Sequence, residues 1–432
     1  MTIDSTAPVA SDALAHVRLG ALEQIATLGT PTKRDEAWRY APHRSLGELT
    51  FGPPIESATD LLTDASANID KHIPALDGPR IVVVNGTVDL ERSNLTGPDG
   101  VRISTIADAL LERPERVAAH YDVGDDQGNT AIPDSFLAAN VAFGVDGAVV
   151  HIADDVELDA PIHVIDIAVA GEAHLGDTHN AHCSGMIVHV GARSSATVVE
   201  TRLGFGTDFG GSNVRTTITV GDEATLEHVL LQDVPTTQIH LSRVDVTQAA
   251  GSSFRASSFN LGASYGRLAY DVHLAGKGAH VDLSGLFFGF GDQVLDQQIT
   301  VVHDAADCSS RQTYRGVLDD SSTGVFNGGI DVKPGADGTD AEQSNDNLLL
   351  SNRAEINTQP RLEILADEVA CKHGATVGQL DDTALYYMRS RGIPADEARR
   401  LLINGFADQM VDKVGIGTVR AWITHRMGHD DV

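Results

Sequence analysis

From about Ala160 to Ile356 the sequence alternates β-branched runs with small polar turns, with few helix signals and very little proline. This pattern restricts the fold more than any other feature of the chain. Its turns repeat: Gly191-Ala-Arg-Ser-Ser-Ala-Thr-Val-Val, Gly221-Asp-Glu-Ala-Thr-Leu, Gly251-Ser-Ser-Phe, Gly278-Ala-His-Val-Asp-Leu and Asp307-Cys-Ser-Ser recur at intervals of about 30 residues. Each reads as a turn with a small residue followed by a strand. A unit of that size cannot bury its apolar face alone, so stacked units are expected to form a β-solenoid. A β-sandwich also uses short strands but need not repeat its turn chemistry at a steady interval.

The flanks read differently. Leu14, Val17, Leu22 and Ile25 approximate a helical spacing behind a capping Asp12, with Gly29 and Pro31 marking the end. The polar, proline-punctuated segment from Thr30 to Phe51 reads as a loop that Trp38 and Tyr40 dock on something. Beyond it come a strand at Ile81 to Asn85, a helix at Ile106 to Leu111 and a Gly/Asp-rich connection at Val123 to Asn129. After Gly378 the period changes from two to helical. Asp381 or Asp382 caps a helix through Tyr386, Tyr387 and Arg389 that ends at Gly392. Pro394 opens a second with Ala398, Leu401, Leu402, Met410, Val411 and Val414 as its stripe, and Val419, Trp422 and Ile423 mark a third. The expected organisation is a mixed region over 1–154, a solenoid over 155–362 and a small helical unit over 363–432 that includes the strand bearing Cys371.

With 31 basic and 61 acidic side chains the formal net charge is -30. Nucleic acid and anionic lipid, whose binding rests on lysine and arginine, are disfavoured as partners. The first residues lack a basic segment followed by an apolar core, so no secretory signal is expected. No run reaches the roughly 18 apolar residues of a membrane span. The three cysteines, Cys183, Cys308 and Cys371, are widely separated, which argues against a disulfide framework and for the cytoplasm.

Most motif candidates fail on context. His174, His179, His182 and Cys183 do not follow the paired spacings of a structural zinc site, and they read as side chains of turns and strands. His151, His163, His189, His228, His240, His273, His280 and His303 read as mostly solvated or singly hydrogen-bonded. Gly204 to Gly211 is followed by the strand-like Val214-Arg-Thr-Thr-Ile-Thr-Val220, not by the helix that a phosphate loop needs. The acidic run Asp337 to Glu342 lacks calcium-loop spacing. Cys371-Lys-His373 is the exception, because at a period of two both side chains point to one face of a strand. Thiolate and neutral imidazole suit iron, zinc or copper(I), and the thiolate can handle sulfur. Two ligands do not close a site, so the pair reads as half of a shared one. A buried structural cysteine fits the same three residues when they are taken alone.

The run that follows alters that balance. Pro360 to Gly378, continued by Gln379-Leu-Asp-Asp-Thr-Ala-Leu-Tyr-Tyr-Met-Arg-Ser-Arg-Gly-Ile-Pro and on to Phe406, resembles the C-terminal signature of the SufB/SufD family of iron-sulfur cluster assembly proteins. Pro31-Thr-Lys-Arg-Asp-Glu-Ala-Trp-Arg-Tyr40, Tyr314-Arg-Gly-Val-Leu318 with Val325-Phe-Asn-Gly-Gly-Ile330, and Gln343-Ser-Asn-Asp-Asn-Leu-Leu-Leu-Ser351 fit the same family in order. Cys371-x-His373-Gly-Ala-Thr-Val-Gly378 and the Pro-Thr-x-x-Asp-Glu-x-Trp entry are similar to its SufD side.

The resemblance implies a mainly β protein, a right-handed parallel β-helix with a helix-containing N-terminal region and a small α-helical C-terminal domain. It implies pairing with a SufB-like subunit and association with a SufC-like ATPase through the C-terminal helices, where Tyr386, Tyr387, Arg391, Leu401 and Phe406 are the candidate contacts. A cysteine desulfurase system is an indirect partner. His373 and Cys371 would face a shared interface where iron or a transient iron-sulfur cluster is held, and reduced flavin accompanies some complexes of the family. Such a scaffold has no catalysis of its own, and ATP is hydrolysed by the partner. Two other readings stand beside it. One is a self-pairing cluster carrier like SufB, which the shortage of cysteines disfavours; the other is a β-helical carbohydrate-active protein, a class that usually acts outside the cell.

Overall fold

The computed structural model describes residues 1–3, 13–52, 69–121, 134–169, 179–206 and 209–428. In chain order the strands are β1 (Thr2–Ile3), β2 (Leu49–Phe51), β3 (Arg80–Val84), β4 (Thr87–Asn94), β5 (Val101–Thr105), β6 (Gly147–Ile152), β7 (Ile162–Val169), β8 (His179–Val190), β9 (Ser195–Phe205), β10 (Gly210–Val220), β11 (Thr225–Asp233), β12 (Gln238–Gln248), β13 (Ser253–Asn260), β14 (Tyr265–Leu274), β15 (His280–Gly289), β16 (Val294–His303), β17 (Ser309–Leu318), β18 (Thr323–Val332), β19 (Asp340–Leu349), β20 (Glu355–Ile364) and β21 (Ala370–Gly378). From β8 onward the even-numbered strands build one sheet and the odd-numbered strands the other, every neighbour parallel. The result is a parallel β-solenoid whose coils run from β8/β9 to β20/β21. The first sheet also takes in β1, β2, β5 and β6, and the second continues through β7 and β3 to β4.

The repeated turns set the corners. Arg193, Glu223, Gly251, Gly278 and Asp307 all have positive φ, between 57° and 71°. Each donates its backbone N–H to the corner one coil further on, Arg193 to Asp222 at 2.8 Å, Gly251 to Lys277 at 2.9 Å and Asp307 to Asp337 at 2.8 Å. Small or short polar residues suit this left-handed position, which is why turn chemistry and coil recur together. The repeat is elastic: Ile239 pairs with Tyr265 in the next coil and Thr323 with Glu355. Inside, side chains of like position stack in register, as in the buried column Ala196, Leu226, Phe254 and Val281.

Helices cover both outer faces. On the first sheet lie α1 (Ala15–Leu28), α2 (His43–Glu48), α3 (Ile106–Glu112), α4 (Pro114–Tyr121) and α5 (Ser135–Phe143). α6 (Asp382–Ser390) buries no side chain, whereas α7 (Ala395–Val411) and α8 (Gly417–Arg426) pack Met410, Val411, Trp422 and Ile423 on the second sheet. Trp422 donates its indole N–H to the His72 carbonyl at 2.9 Å.

Three expectations are corrected. The buried stripe of α1 is Leu14, Arg18, Ala21 and Ile25, with Val17 and Leu22 only partly buried. Arg18 goes inside because its guanidinium donates to the Val141 and Gly144 carbonyls at 3.0 and 3.2 Å, capping the negative end of α5. The segment read as a loop is structured by Trp38, buried at 5.0 Å from the Phe136 ring with the Arg267 guanidinium 3.9 Å above its face. Tyr40 stays exposed. The boundary expected at residue 362 falls within β20, and the solenoid continues through β21 because its period-two run pairs in register with β19. Asp12 and the Val123 to Asn129 connection lie outside the described residues.

Candidate functional site

Among the described residues the solenoid ends without a cap: β20 pairs only with β18 and β21 only with β19, so each presents a free backbone edge. Register defines which side chains face the interior. Cys371 lies over Ala341 and His373 over Gln343, both buried and inward, just as Gln312 lies one coil earlier. Cys371 and His373 therefore occupy core positions of a coil with nothing stacked on it, about 6.6 Å apart along the strand. Cys371 packs at the margin of the cluster formed by Ile330, Val332, Ala336 and Ala341, and His373 is exposed. The same coil leaves Val377 53% and Ile364 40% exposed, although their in-register neighbours Asn347 and Val332 are buried.

Partial burial pushes the Cys371 thiol up, an effect that the backbone N–H donated by Ala341 offsets only in part and the Asp340 charge reinforces. Beneath the pair, Gln343 donates to Gln312 at 2.8 Å, and its own Oε1 is buried without a hydrogen-bond partner among the described residues. Across the coil the buried Thr358 hydroxyl is likewise unpartnered. On the outer side Lys372 pairs with Glu342 at 3.1 Å and Thr376 donates to Asp346 at 2.6 Å, fixing the strand. Among the described residues no group of three or more His, Cys, Asp and Glu side chains is placed to hold a metal ion. The Cys-x-His pair thus offers a soft and a borderline donor on an open edge.

The C-terminal candidates separate into two groups. Tyr386 is 74% exposed on α6, and Tyr387 is exposed beside it with the Arg391 guanidinium 5.2 Å from its ring. Leu401 is also exposed. Phe406 is partly buried against the second sheet, where the Arg315 guanidinium covers its ring at 4.6 Å and donates to its carbonyl at 2.5 Å.

Sequence reasoning missed the polar interior of the early coils. Glu200 and Arg202 face each other in β9, fully enclosed. Glu200 also accepts from Thr216 at 3.0 Å and pairs with His228 Nε2 at 2.7 Å, while His228 Nδ1 meets the Tyr270 hydroxyl at 2.7 Å. Burial raises the Glu200 carboxyl, but the Arg202 charge and the His228 hydrogen bond outweigh it and hold the group well below the usual range. His163, His228, His240 and His303 are buried rather than solvated; His163 and His240 are singly hydrogen-bonded, to Thr201 and Ser212, which fits the other half of the expectation, whereas His228 is bonded at both nitrogens. The only available signal was an Glu-x-Arg alternation among β-branched residues, which a solvated face produces equally well. The His182/Cys183 cluster does not form: His182 faces Asp166 at 4.0 Å, while Cys183 points the other way and donates to the Ala139 carbonyl at 3.6 Å. His174 lies outside the described residues.

The described residues thus form a helix-flanked parallel β-solenoid with a Cys-x-His pair on its last coil. Residues 173–406 match the family model described as SUF system FeS cluster assembly, SufBD core domain, and residues 4–164 match the SufBD protein N-terminal region. The chain belongs to the SufBD family of iron-sulfur cluster assembly proteins. It is 28% identical to an iron-sulfur cluster assembly SufBD family protein of Synechocystis, over 94% of this chain and 89% of that one. It is also 28% identical to the iron-sulfur cluster assembly protein SufD of Escherichia coli, over 94% of this chain and 90% of that protein. With SufD of Bacillus subtilis the identity is 25%, over 94% and 91%.

Proposed function

We propose that this chain is a SufD-type, non-catalytic scaffold subunit that pairs through its open last coil with a SufB-like subunit. The observation that carries the reading is the placement of Cys371 and His373 at uncovered core positions beside two free strand edges. A partner that stacks on this coil would bury Val377 and Ile364 and bring its own ligands opposite His373. His373 then serves as an iron ligand or entry group and Cys371 as an auxiliary ligand or sulfur relay. Iron and sulfide are cargo here, delivered in part by a cysteine desulfurase system. A SufC-like ATPase docks on the exposed α6 surface around Tyr386, Tyr387 and Arg391, with Leu401 beside it, and hydrolyses the ATP. Phe406 supports that surface from beneath, through Arg315. Reduced flavin stays an expectation for the assembled complex, with no side chain of this chain assigned to it. No described helix is long and apolar enough to cross a membrane, and three free cysteines fit the cytoplasm.

The test is iron and acid-labile sulfide content after anaerobic co-expression with SufB-like and SufC-like partners, comparing wild type with His373→Ala at equal recovery of the complex. The expected result is loss of bound iron with the complex intact. Unchanged iron would remove His373 from the site. A free edge also suits a second copy of this chain; sedimentation of the purified chain, with and without the SufB-like subunit, separates the two modes of pairing.

A further inference from the structure

A cavity of about 570 Å³ lies between the outer face of the first sheet and helices α3 and α4, remote from the last coil. Its size is that of a small-molecule site. Its chemistry is unusual for a chain of net charge -30, because Arg113 at the α3–α4 junction, Arg116 of α4 and Arg215 of β10 line it together with His120, His151 and His189. Arg215 is buried; its Nε donates to Asp245 at 2.9 Å, but its Nη1 has no hydrogen-bond partner among the described residues. Arg113 and Arg116 are exposed at the rim and form no ion pair among the described residues. The imidazoles of His151 and His189 stack at 5.0 Å between centroids.

Three carboxylates also line this space and each is paired, Glu112 with Arg102, Asp245 with Arg215 and Arg243, and Asp271 with Arg243, so that among the described residues Arg113 and Arg116 are the lining guanidiniums left without a counter-charge. Burial, then the charges of Arg215 and His189, push His120 down to about 4. Burial, then His189, Arg116 and Arg113, lower His151, and burial and Arg116 lower His189 against the pull of Asp154. Three neutral imidazoles beside three guanidiniums form a donor-rich wall, and the other wall is apolar, with Val117, Val149 and Ile187. Guanidinium forks match tetrahedral oxyanions in bidentate fashion, and several of them favour a dianion over a monoanion.

We propose that this cavity binds a small phosphorylated metabolite, its phosphate between Arg113, Arg116 and Arg215 and its apolar body against Val117 and Ile187. Such a ligand would link assembly to metabolite supply through a face separate from the docking edge, and the proposal stands or falls independently of the pairing described above.

The experiment is isothermal titration calorimetry of the full chain with phenyl phosphate, orthophosphate and benzoate, in a phosphate-free buffer at moderate salt. Phenyl phosphate is expected to bind at least about tenfold more tightly than either of the others. The double variant Arg113→Gln/Arg116→Gln, whose side chains are exposed and unpaired, is expected to keep the wild-type melting temperature and to lose at least about tenfold in affinity. Arg353→Gln/Arg389→Gln, two exposed positions away from the cavity, serves as the charge-matched control and should bind as wild type does. Absence of phenyl phosphate binding at millimolar concentration overturns the proposal. So does equal affinity for orthophosphate, or an affinity that the double variant leaves unchanged.

Discussion

Replacing Arg202 by methionine tests whether the polar interior of the early coils is a sealed ion network. Arg202 contacts Glu200 and donates to Ser242 and Thr216, each at 3.0 Å, with 1% of its surface exposed. Methionine fills much of the volume but leaves the Glu200 carboxylate buried without its cation, and removing one partner of a buried pair costs about 3–5 kcal/mol. The sign of the pH dependence follows from Glu200. In the wild type its carboxyl lies below the unfolded value, so its contribution is present above the ordinary glutamate range and is lost only as pH falls through the depressed value. Removing Arg202 leaves burial, the largest influence on this carboxyl, opposed chiefly by His228, so the carboxyl titrates higher than in the wild type and the variant gives up part of the wild type's stability as pH rises. The penalty is therefore larger at pH 8 than at pH 5. Urea unfolding followed by the fluorescence of Trp38 and Trp422 measures it. The double substitution Glu200→Gln/Arg202→Met, which removes both charges, should recover most of the loss. A penalty below about 1 kcal/mol, the range of solvated ion pairs, or one equal at both pH values, would refute the sealed network.

Three further outcomes follow from the same geometry. Because burial raises its thiol, Cys371 should alkylate slowly with iodoacetamide at pH 7 and faster as pH rises, while buried Cys183 and Cys308 stay unmodified until the chain unfolds; mass spectrometry of the labelled peptides separates the three. Trp422→Ala should destabilise the chain by about 3–5 kcal/mol, read in chemical denaturation, because it empties the seat of α8 and frees the His72 carbonyl. Tyr386→Ala/Tyr387→Ala should change stability by no more than about 0.5 kcal/mol since α6 buries nothing, yet weaken capture of a SufC-like ATPase; capture equal to wild type would move the docking surface elsewhere.

The solenoid was legible because its corners demand a backbone conformation that few residues adopt cheaply. Gly251, Gly278 and Asp307 therefore mark the period even where the strands between them vary. Local signals also carried α6, whose Asp381 accepts from the Thr383 N–H at 2.8 Å, and α7, opened by Pro394. Arg18 was not legible: its burial depends on carbonyls more than 100 residues away, at the end of α5. The Glu200, Arg202 and His228 network failed for the same reason, since alternation says which residues share a face but not whether that face is wet. At the candidate site the spacing of Cys371 and His373 gave their common face. Only the register with Ala341 and Gln343 shows that this face is the interior of an unfinished coil.

On the proposed pairing, the unfinished coil carries surface charge and a docking edge on the same strands. Free edges with exposed apolar core positions invite indiscriminate pairing, which proteins restrain by placing charge along them. Here Arg361 is held by Asp331 at 2.9 Å and Glu363 at 3.2 Å on β20, and Lys372 is held by Glu342 at 3.1 Å on β21. These pairs lie on the outward positions and leave the inward row of Cys371, His373, Ala375 and Val377 without a carboxylate, ammonium or guanidinium. A partner of the kind proposed above would have to satisfy two conditions at once, an edge that accepts the strand hydrogen bonds and an inner row that complements a thiol and an imidazole. Charge along the rim rejects partners that meet only the first condition. On the pairing proposed above, the donor pair stays exposed in the free chain and becomes enclosed when the partner stacks on the coil.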